Sequence, residues 1–166
     1  MDLDLLAKIV NDIDRKEVSM LLSLLANRDM IYLIGNGGSN AICSHISQDY
    51  TKALGLRAQC FSDPSRLTCY INDYGRDEAY AKYLQHFATT SSLVILVSSS
   101  GNSNNIVNCA SYCSEENIPF VILTGFDSDN TLRSRFSNKA VLEFYVPSSD
   151  YGIVENVHSI FLHAVI

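Results

Sequence analysis

The 166-residue chain contains no apolar run of the roughly 18 residues that a membrane-spanning helix requires. Its amino terminus, MDLDLLAKIV, starts with acidic residues and lacks the basic start of a secretory signal. Basic residues are few, because 12 Lys and Arg stand against 18 Asp and Glu and give a formal net charge of -6. A protein that binds a nucleic-acid backbone needs a basic face, so we expect neither a membrane nor a nucleic acid as partner.

The chain also lacks the features that would divide it or place it outside the cell. Its five cysteines are scattered and odd in number, which favours reduced core thiols and a cytoplasmic location. No linker or low-complexity tract interrupts the sequence. We therefore expect a single domain over residues 1–166, with an N-terminal helix within 1–27 and an α/β core with a C-terminal helix over 28–166.

Short apolar runs alternate with helical patterns along the sequence. Runs typical of buried strands occupy residues 30–34, 93–97, 120–123 and 140–146, with a further candidate at 57–61. Helical spacing of apolar residues is found at 3–26, 40–54, 78–87 and 104–116. This alternation predicts βαβ units and a parallel sheet covered by helices on both faces. In such sheets, ligands bind beyond the carboxyl ends of the strands.

Two of the predicted strands run directly into loops rich in glycine and serine. The first loop reads Gly35-Asn36-Gly37-Gly38-Ser39, and the second is Ser98-Ser99-Ser100-Gly101-Asn102-Ser103. Such loops suit a phosphate for three reasons. Their hydroxyls can donate to its oxygens, their glycines let the backbone come close to it, and the free N–H groups at the following helix start can bind it. The Gly-Lys-Ser/Thr ending of a Walker loop is missing. A plain serine N-cap would explain one loop, but the two together favour a phosphorylated ligand lying between them.

Carboxylates and imidazoles occur at helical spacing in two other segments. His45 and Asp49 are four residues apart, and Glu155, His158 and His163 follow one another in the last predicted helix. At about 100° per residue, each helix can present such groups on one face. The set suits a divalent metal such as zinc, or an acid–base pair. Exposed His and Asp are also common on helices without any function, so the spacing alone leaves these interpretations open.

Several motifs occur together in one order along nearly the whole chain. They are the two Gly/Ser loops, His45-x-x-x-Asp49, Asn72-Asp73-Tyr74-Gly75, Leu123-Thr124-Gly125, and Glu155 with His163. This ordered set resembles the sugar isomerase (SIS) domain family, and within it the phosphoheptose isomerases. The resemblance implies an α/β three-layer sandwich with a flavodoxin-like sheet of five parallel strands. It also implies a homotetramer whose N-terminal helices pack at the centre and whose active sites are shared between subunits.

The resemblance further implies an enzyme, an aldose–ketose isomerase. Such enzymes convert sedoheptulose 7-phosphate to D-glycero-D-manno-heptose 7-phosphate for bacterial surface polysaccharide, including lipopolysaccharide. Asp49 is the candidate base and His163 the candidate acid for proton transfer through an enediol. The residues that match the family's metal ligands, zinc in several members, are His45, Asp49, Glu155 and His163. The expected substrate-binding residues are Asn36, Gly37, Gly38, Ser39, Asp73, Ser98, Ser99, Ser100, Ser103 and Glu155.

The chain departs from the family pattern at a few positions. Asp49 stands where the family has glutamate, and Glu155 stands where it has glutamine, which adds negative charge that favours a bound cation. Lys52 replaces a nearby arginine, and the loop before Arg57 is shorter. Family members continue for a few turns past Ile166, so we expect a shortened form or a piece of a longer protein. Two alternatives stay open: an isomerase of another sugar phosphate, and a non-catalytic phosphosugar sensor or adaptor.

Overall fold

The computed structural model describes residues 1–166 as a five-stranded sheet between two layers of helices. The strands are β1 Ile31–Gly35, β2 Ala58–Cys60, β3 Leu93–Ser98, β4 Phe120–Thr124 and β5 Leu142–Tyr145. Their order in the sheet is β2-β1-β3-β4-β5, and all neighbouring strands are parallel. The expected flavodoxin-like α/β sandwich is therefore confirmed.

Eight helices surround this sheet. They are α1 Leu3–Asn11, α2 Arg15–Leu25, α3 Gly37–Leu54, α4 Pro64–Tyr74, α5 Ala79–Phe87, α6 Asn104–Glu115, α7 Thr131–Phe136 and α8 Tyr151–His163. None of them combines the length and the apolar character that crossing a membrane would require.

The N-terminal stretch is two helices, so the expectation of one helix within residues 1–27 is wrong. Helix α1 ends at its C-cap, Asp12, and helix α2 begins after Asp14. The Asp14 carboxylate accepts a hydrogen bond from the Lys16 N–H at 2.8 Å. An aspartate in this position satisfies the free amides of a helix start, so it begins a new helix where the apolar spacing alone suggested continuity.

Both faces of the sheet are buried, as continuous apolar strands require. The core on one face joins strand residues such as Leu33 and Ile95 to helices α1, α2, α3 and α8. The core on the other face joins Ile34 and Leu96 to α5, α6 and α7. Helices α3 and α8, which carry the predicted carboxylates and imidazoles, therefore share one face of the sheet.

A buried tyrosine fixes α3 against α8. The Tyr50 hydroxyl on α3 donates to the Leu162 carbonyl on α8 at 3.0 Å. Burial raises the pKa of Tyr50 far above its usual value, so this donor keeps its proton. Because Asp49 precedes Tyr50 and His163 follows Leu162, the bond sets the relative position of the two candidate catalytic residues.

The cysteines are free thiols that differ in exposure. Cys43, Cys109 and Cys113 are buried in the two cores, Cys60 is half-buried and Cys69 is exposed on α4. Burial raises the pKa of Cys113 to about 12, which keeps that thiol protonated and unreactive.

Candidate active site

The two Gly/Ser loops meet where the strand order reverses. They follow β1 and β3, which are neighbours in the sheet although β2 lies on the other side of β1. This is the position at which sheets of this kind bind ligands. The carboxamides of Asn36 and Asn105 join the first loop to the start of α6 through two hydrogen bonds.

A cavity of about 110 Å³ lies between the loops. Its lining is Asn36, Ser39, Val97, Ser98, Ser99, Ser100, Ser103, Tyr151 and Glu155. Seven of these belong to the predicted substrate-binding set. Tyr151 does not, because a single aromatic residue at a helix start carries no sequence pattern that points to a site.

One cavity hydroxyl has no partner in the protein. Ser99 is only 4% exposed, and its Oγ makes no hydrogen bond. Buried polar groups are nearly always hydrogen-bonded, so a free buried hydroxyl at a cavity wall suits a ligand oxygen. Ser103 is the N-cap of α6 and makes no side-chain capping bond, which leaves its hydroxyl and the first amides of α6 available. No Lys or Arg lines the cavity, so an anion would be held by these neutral donors and the helix dipole.

The serine loop is held in shape from the segment before α7. Gly101 has a φ of +64°, and a Cβ there would collide with the Asn130 carboxamide. Thr131 donates to the Asn102 Oδ1 through its N–H at 2.9 Å and its hydroxyl at 2.8 Å. A residue with a side chain at position 101 would break this arrangement, which is why glycine stands in the loop.

Glu155 is the only charged residue in the cavity lining, and its carboxylate lies against Gly38. The carboxylate oxygens occupy the space that a Cβ at position 38 would need. Gly38 is in the first turn of α3, where the helix dipole favours negative charge. Glu155 therefore places an anion at the α3 terminus, and the α6 terminus stays open. Gly37 and Gly38, both expected to bind substrate, do not line the cavity.

A second polar cluster forms where α3 and α8 meet. The His45 Nε2 lies 3.2 Å from the Asp49 Oδ2, and the His163 Nε2 lies 3.4 Å from the same oxygen. One donor atom from each of these three residues fits within 4.8 Å of the other two. Two imidazole nitrogens and a carboxylate oxygen at this spacing match the ligand types of a zinc site.

The tautomer of His163 is set by the backbone. Its Nδ1 lies 2.8 Å from the Ser159 carbonyl, which can only accept, so Nδ1 carries the proton. In the neutral ring, Nε2 is then an unprotonated nitrogen that faces the Asp49 oxygen. Two electron-rich atoms this close suit a cation between them, and a backbone acceptor behind a ligating histidine is common in metal sites.

The fourth predicted metal ligand lies elsewhere. Glu155 precedes His163 by eight residues on α8, which separates their backbones by about 12 Å along the helix axis. Its carboxylate is in the serine cavity and does not belong to the three-residue cluster. The three cluster residues, in turn, do not line the cavity. The hydroxyl-lined cavity and the carboxylate–imidazole cluster are therefore two separate places along α3 and α8.

Asp73 is also outside the cavity. It is exposed near the end of α4, and its Oδ2 accepts from the Cys69 Sγ at 3.5 Å. This contact raises the pKa of Cys69 above its usual value, since the carboxylate favours the protonated thiol. Within one chain, the structure therefore does not bring Asp73 to the other predicted substrate-binding residues.

His158 packs inside the protein and belongs neither to the cavity lining nor to the cluster. It is fully buried, and its Nε2 donates to the Thr124 carbonyl at 3.1 Å. The other ring nitrogen has no partner. Burial lowers the pKa of His158 to about 4, so the ring is neutral and links α8 to the end of β4.

Comparison with known proteins places this chain in a family. A family model described as the SIS domain matches residues 7–125. The chain belongs to the SIS domain family. The phosphoheptose isomerase of Fusobacterium nucleatum is 28% identical over 175 residues, covering 99% of this chain and 88% of that protein. The phosphoheptose isomerase of Colwellia psychrerythraea is 30% identical over 152 residues, covering 88% and 76%.

A solved structure from the same group is also similar. The phosphoheptose isomerase GmhA from Neisseria gonorrhoeae superposes with a TM-score of 0.84 at 25% sequence identity. The match covers 96% of this chain and 88% of that chain. The SIS resemblance, with phosphoheptose isomerases as similar members, is therefore confirmed.

Proposed function

We propose that this chain is an aldose–ketose isomerase of sugar phosphates that converts sedoheptulose 7-phosphate to D-glycero-D-manno-heptose 7-phosphate for bacterial surface polysaccharide. The observation that carries this proposal is the pairing of a hydroxyl-lined cavity, to which α3 and α8 contribute Ser39 and Glu155, with a carboxylate–imidazole cluster on those two helices. The relatives named phosphoheptose isomerase support the same class of enzyme.

The phosphate is assigned to the serine cavity. The unpartnered Ser99 hydroxyl, the free Ser103 hydroxyl and the open first turn of α6 supply donors to an anion. Glu155 already holds the corresponding position on α3, so a single phosphate is accommodated. The roughly 12 Å of α8 between Glu155 and His163 suits a long open-chain sugar whose carbonyl end reaches the cluster.

The isomerisation needs two proton transfers and no redox partner. In the ketose-to-aldose direction, the Asp49 carboxylate removes a proton from C1 while His163 delivers one to the carbonyl oxygen on C2. The product is an enediol. Return of a proton to C2 and loss of the proton on O1 then give the aldose. The Tyr50–Leu162 bond holds both catalytic groups in register.

The cluster also fits a divalent metal, for which zinc is the proposed identity. His45, Asp49 and His163 would hold it, since their donor atoms are nitrogen and carboxylate oxygen and lie within 4.8 Å. Such a cation would stabilise negative charge on the carbonyl oxygen in place of a proton from His163, since the same Nε2 would either hold the metal or donate the proton. Glu155 is proposed as a fourth ligand only because it matches a metal ligand of the phosphoheptose isomerases.

The proposed assembly is a homotetramer with shared sites. Apolar side chains remain exposed on α1, α2 and α8; they are Leu3, Leu5, Met20, Leu22 and Ile160. A second copy would cover these surfaces, which a monomer leaves to water. His45 is largely exposed, so a neighbouring subunit could also complete the site around the cluster.

The proposal is tested by assaying conversion of sedoheptulose 7-phosphate by the zinc-supplemented protein. His163→Gln should lower turnover by about 10²- to 10⁴-fold, because the acid is lost, and leave affinity for inorganic phosphate unchanged. Ser99→Ala should raise KM for the sugar phosphate, whereas the control Ser111→Ala, a half-buried serine of α6 outside the cavity lining, should match the parent. A parent protein that binds sugar phosphate and converts none would instead support a sensor.

A further inference from the structure

One aromatic ring lines the serine cavity. Tyr151 is 59% exposed, and the other apolar lining residue, Val97, is fully buried in the strand. The cavity of about 110 Å³ is smaller than the ~300 Å³ of a typical small-molecule pocket. It therefore suits only the phosphate end of a ligand, and Tyr151 offers an apolar ring beside the carbon atoms next to that phosphate.

The Tyr151 ring is fixed by its neighbours. Tyr151 is the first residue of α8, and the preceding N-cap, Asp150, accepts from the Ile153 N–H at 3.2 Å. Its ring meets the Phe126 ring edge-to-face, with centroids 4.7 Å apart. Edge-to-face pairs of this kind stabilise one ring orientation.

Phe126 adopts a backbone conformation that bulky residues avoid. Its φ is +56°, a region that costs a non-glycine residue about 1–2 kcal/mol. Two hydrogen bonds hold it there: its N–H donates to the Ser148 carbonyl at 2.8 Å, and its carbonyl accepts from the Tyr145 hydroxyl at 2.7 Å. Backbone strain of this type concentrates at functional sites.

The strained turn is also tied to the serine loop. Gly125, which precedes Phe126, donates its N–H to the Ser99 carbonyl at 3.0 Å. Gly125 and Phe126 therefore connect the serine loop, through the Ser99 carbonyl, to the aromatic pair of Phe126 and Tyr151.

We infer that Tyr151 positions the sugar and sets specificity, with the C–H face of the carbon chain beside the phosphate packing on its ring. Phe126 acts through Tyr151 by holding that ring in place. The inference rests on the proposed binding of a sugar phosphate in the serine cavity. It does not depend on catalysis, because packing on the ring requires neither the carboxylate nor the imidazoles of the cluster.

Calorimetric titration of the protein with two probes tests this role. Tyr151→Ala should weaken sedoheptulose 7-phosphate binding about tenfold, since the sugar loses an apolar surface, and leave inorganic phosphate binding within about twofold. Tyr151→Phe keeps the ring and should bind both probes like the parent. Phe126→Gly removes the supporting ring in a conformation that glycine tolerates, and should weaken only sugar phosphate binding. The exposed aromatic control is Phe87→Ala.

The outcomes separate this inference from the proposed function. Equal weakening of both probes in Tyr151→Ala, or unchanged sugar phosphate binding, would overturn the role of Tyr151. A parent protein that binds sedoheptulose 7-phosphate without converting it would overturn the proposed isomerase activity. The role of Tyr151 would still be decided by comparing how Tyr151→Ala changes the affinity for each of the two probes. A parent that binds neither probe would overturn both.

Discussion

The carboxamides of Asn36 and Asn105 exchange two hydrogen bonds: the Asn36 Nδ2 donates to the Asn105 Oδ1 at 3.0 Å, and the Asn105 Nδ2 donates back at 2.8 Å. Asn36 is the N-cap of α3 and Asn105 is in the first turn of α6. The pair therefore joins the two helix starts that border the cavity. Asn36 is expected to contact the sugar, but its Nδ2 and its Oδ1 are both bonded to Asn105. The position of the Asn36 side chain therefore depends on Asn105.

Asn105→Ala should lower stability and substrate affinity together. The change leaves the half-buried Asn36 amide without its partner, at a cost of about 1–3 kcal/mol in the free energy of unfolding. Urea unfolding measures this cost, and KM for the sugar phosphate should rise because the two loops lose their link. Asn108→Ala, on the same helix and bonded to Glu78 instead, is the matched control. Equal KM values in both variants would contradict the positioning role of Asn105.

Zinc should stabilise the protein through the cluster on α3 and α8. At a free zinc concentration 100 times the Kd, the expected gain is about 2.7 kcal/mol in the free energy of unfolding. Thermal unfolding with and without zinc, and after chelation, measures it. Asp49→Asn should abolish most of the shift, because the carboxylate bridges both imidazoles.

The control for the zinc experiment is His86→Ala. His86 is an exposed histidine on α5 that contacts the Tyr70 hydroxyl and lies outside the cluster. Its variant should keep the full zinc shift. A zinc shift that survives in Asp49→Asn would place the metal somewhere other than the cluster.

Gly38→Ala should disturb the cavity through Glu155. A Cβ at position 38 would meet the Glu155 carboxylate, so this flexible end of the side chain must move, at a cost near the low end of the about 1–3 kcal/mol typical of overpacking. The double variant Gly38→Ala with Glu155→Ala should lose less free energy of unfolding than the two single variants together, because the clash is absent once the Glu155 carboxylate is removed. Additive free energies of unfolding would show that the two positions do not interact.

His158 should make stability depend on pH below neutrality. Its pKa is about 4 in the folded protein against a usual 6.5, so the unfolded chain binds the additional proton between these values. The stabilisation is complete above pH 6.5 and falls as the pH drops toward 4, by about 3 kcal/mol. Urea unfolding at several pH values measures the slope.

The variant His158→Gln should flatten this part of the pH profile, whatever its stability at pH 7. The exposed His86→Gln serves as control and should retain the parent slope. An unchanged slope in His158→Gln would mean that other groups cause the acid sensitivity.

The sheet could be predicted from the sequence because its strands are buried on both faces. Apolar runs such as 93–97 have no other common explanation between two helices. Helix α4 was not predicted, because it is polar on average and none of its residues is fully buried. Helix α7 is only six residues long, and the α1–α2 break depends on one aspartate cap.

The candidate site was predictable where its chemistry is local and not where it depends on tertiary contacts. The serine loop and His45 with Asp49 are each contained in one short segment. Asn105, Tyr151 and the strained Phe126 acquire their roles only through partners far along the chain. Helical angles placed Glu155 and His163 on one face, but the rise along α8 separates them.

The single exposed thiol of this chain makes it suited to site-specific labelling. Of the five cysteines, only Cys69 is exposed, so a maleimide fluorophore would react there first in the native sequence. Cys69 contacts Asp73, the predicted substrate residue that lies outside the cavity. The emission of the dye during a titration with sugar phosphate would report directly whether α4 takes part in closing over the ligand.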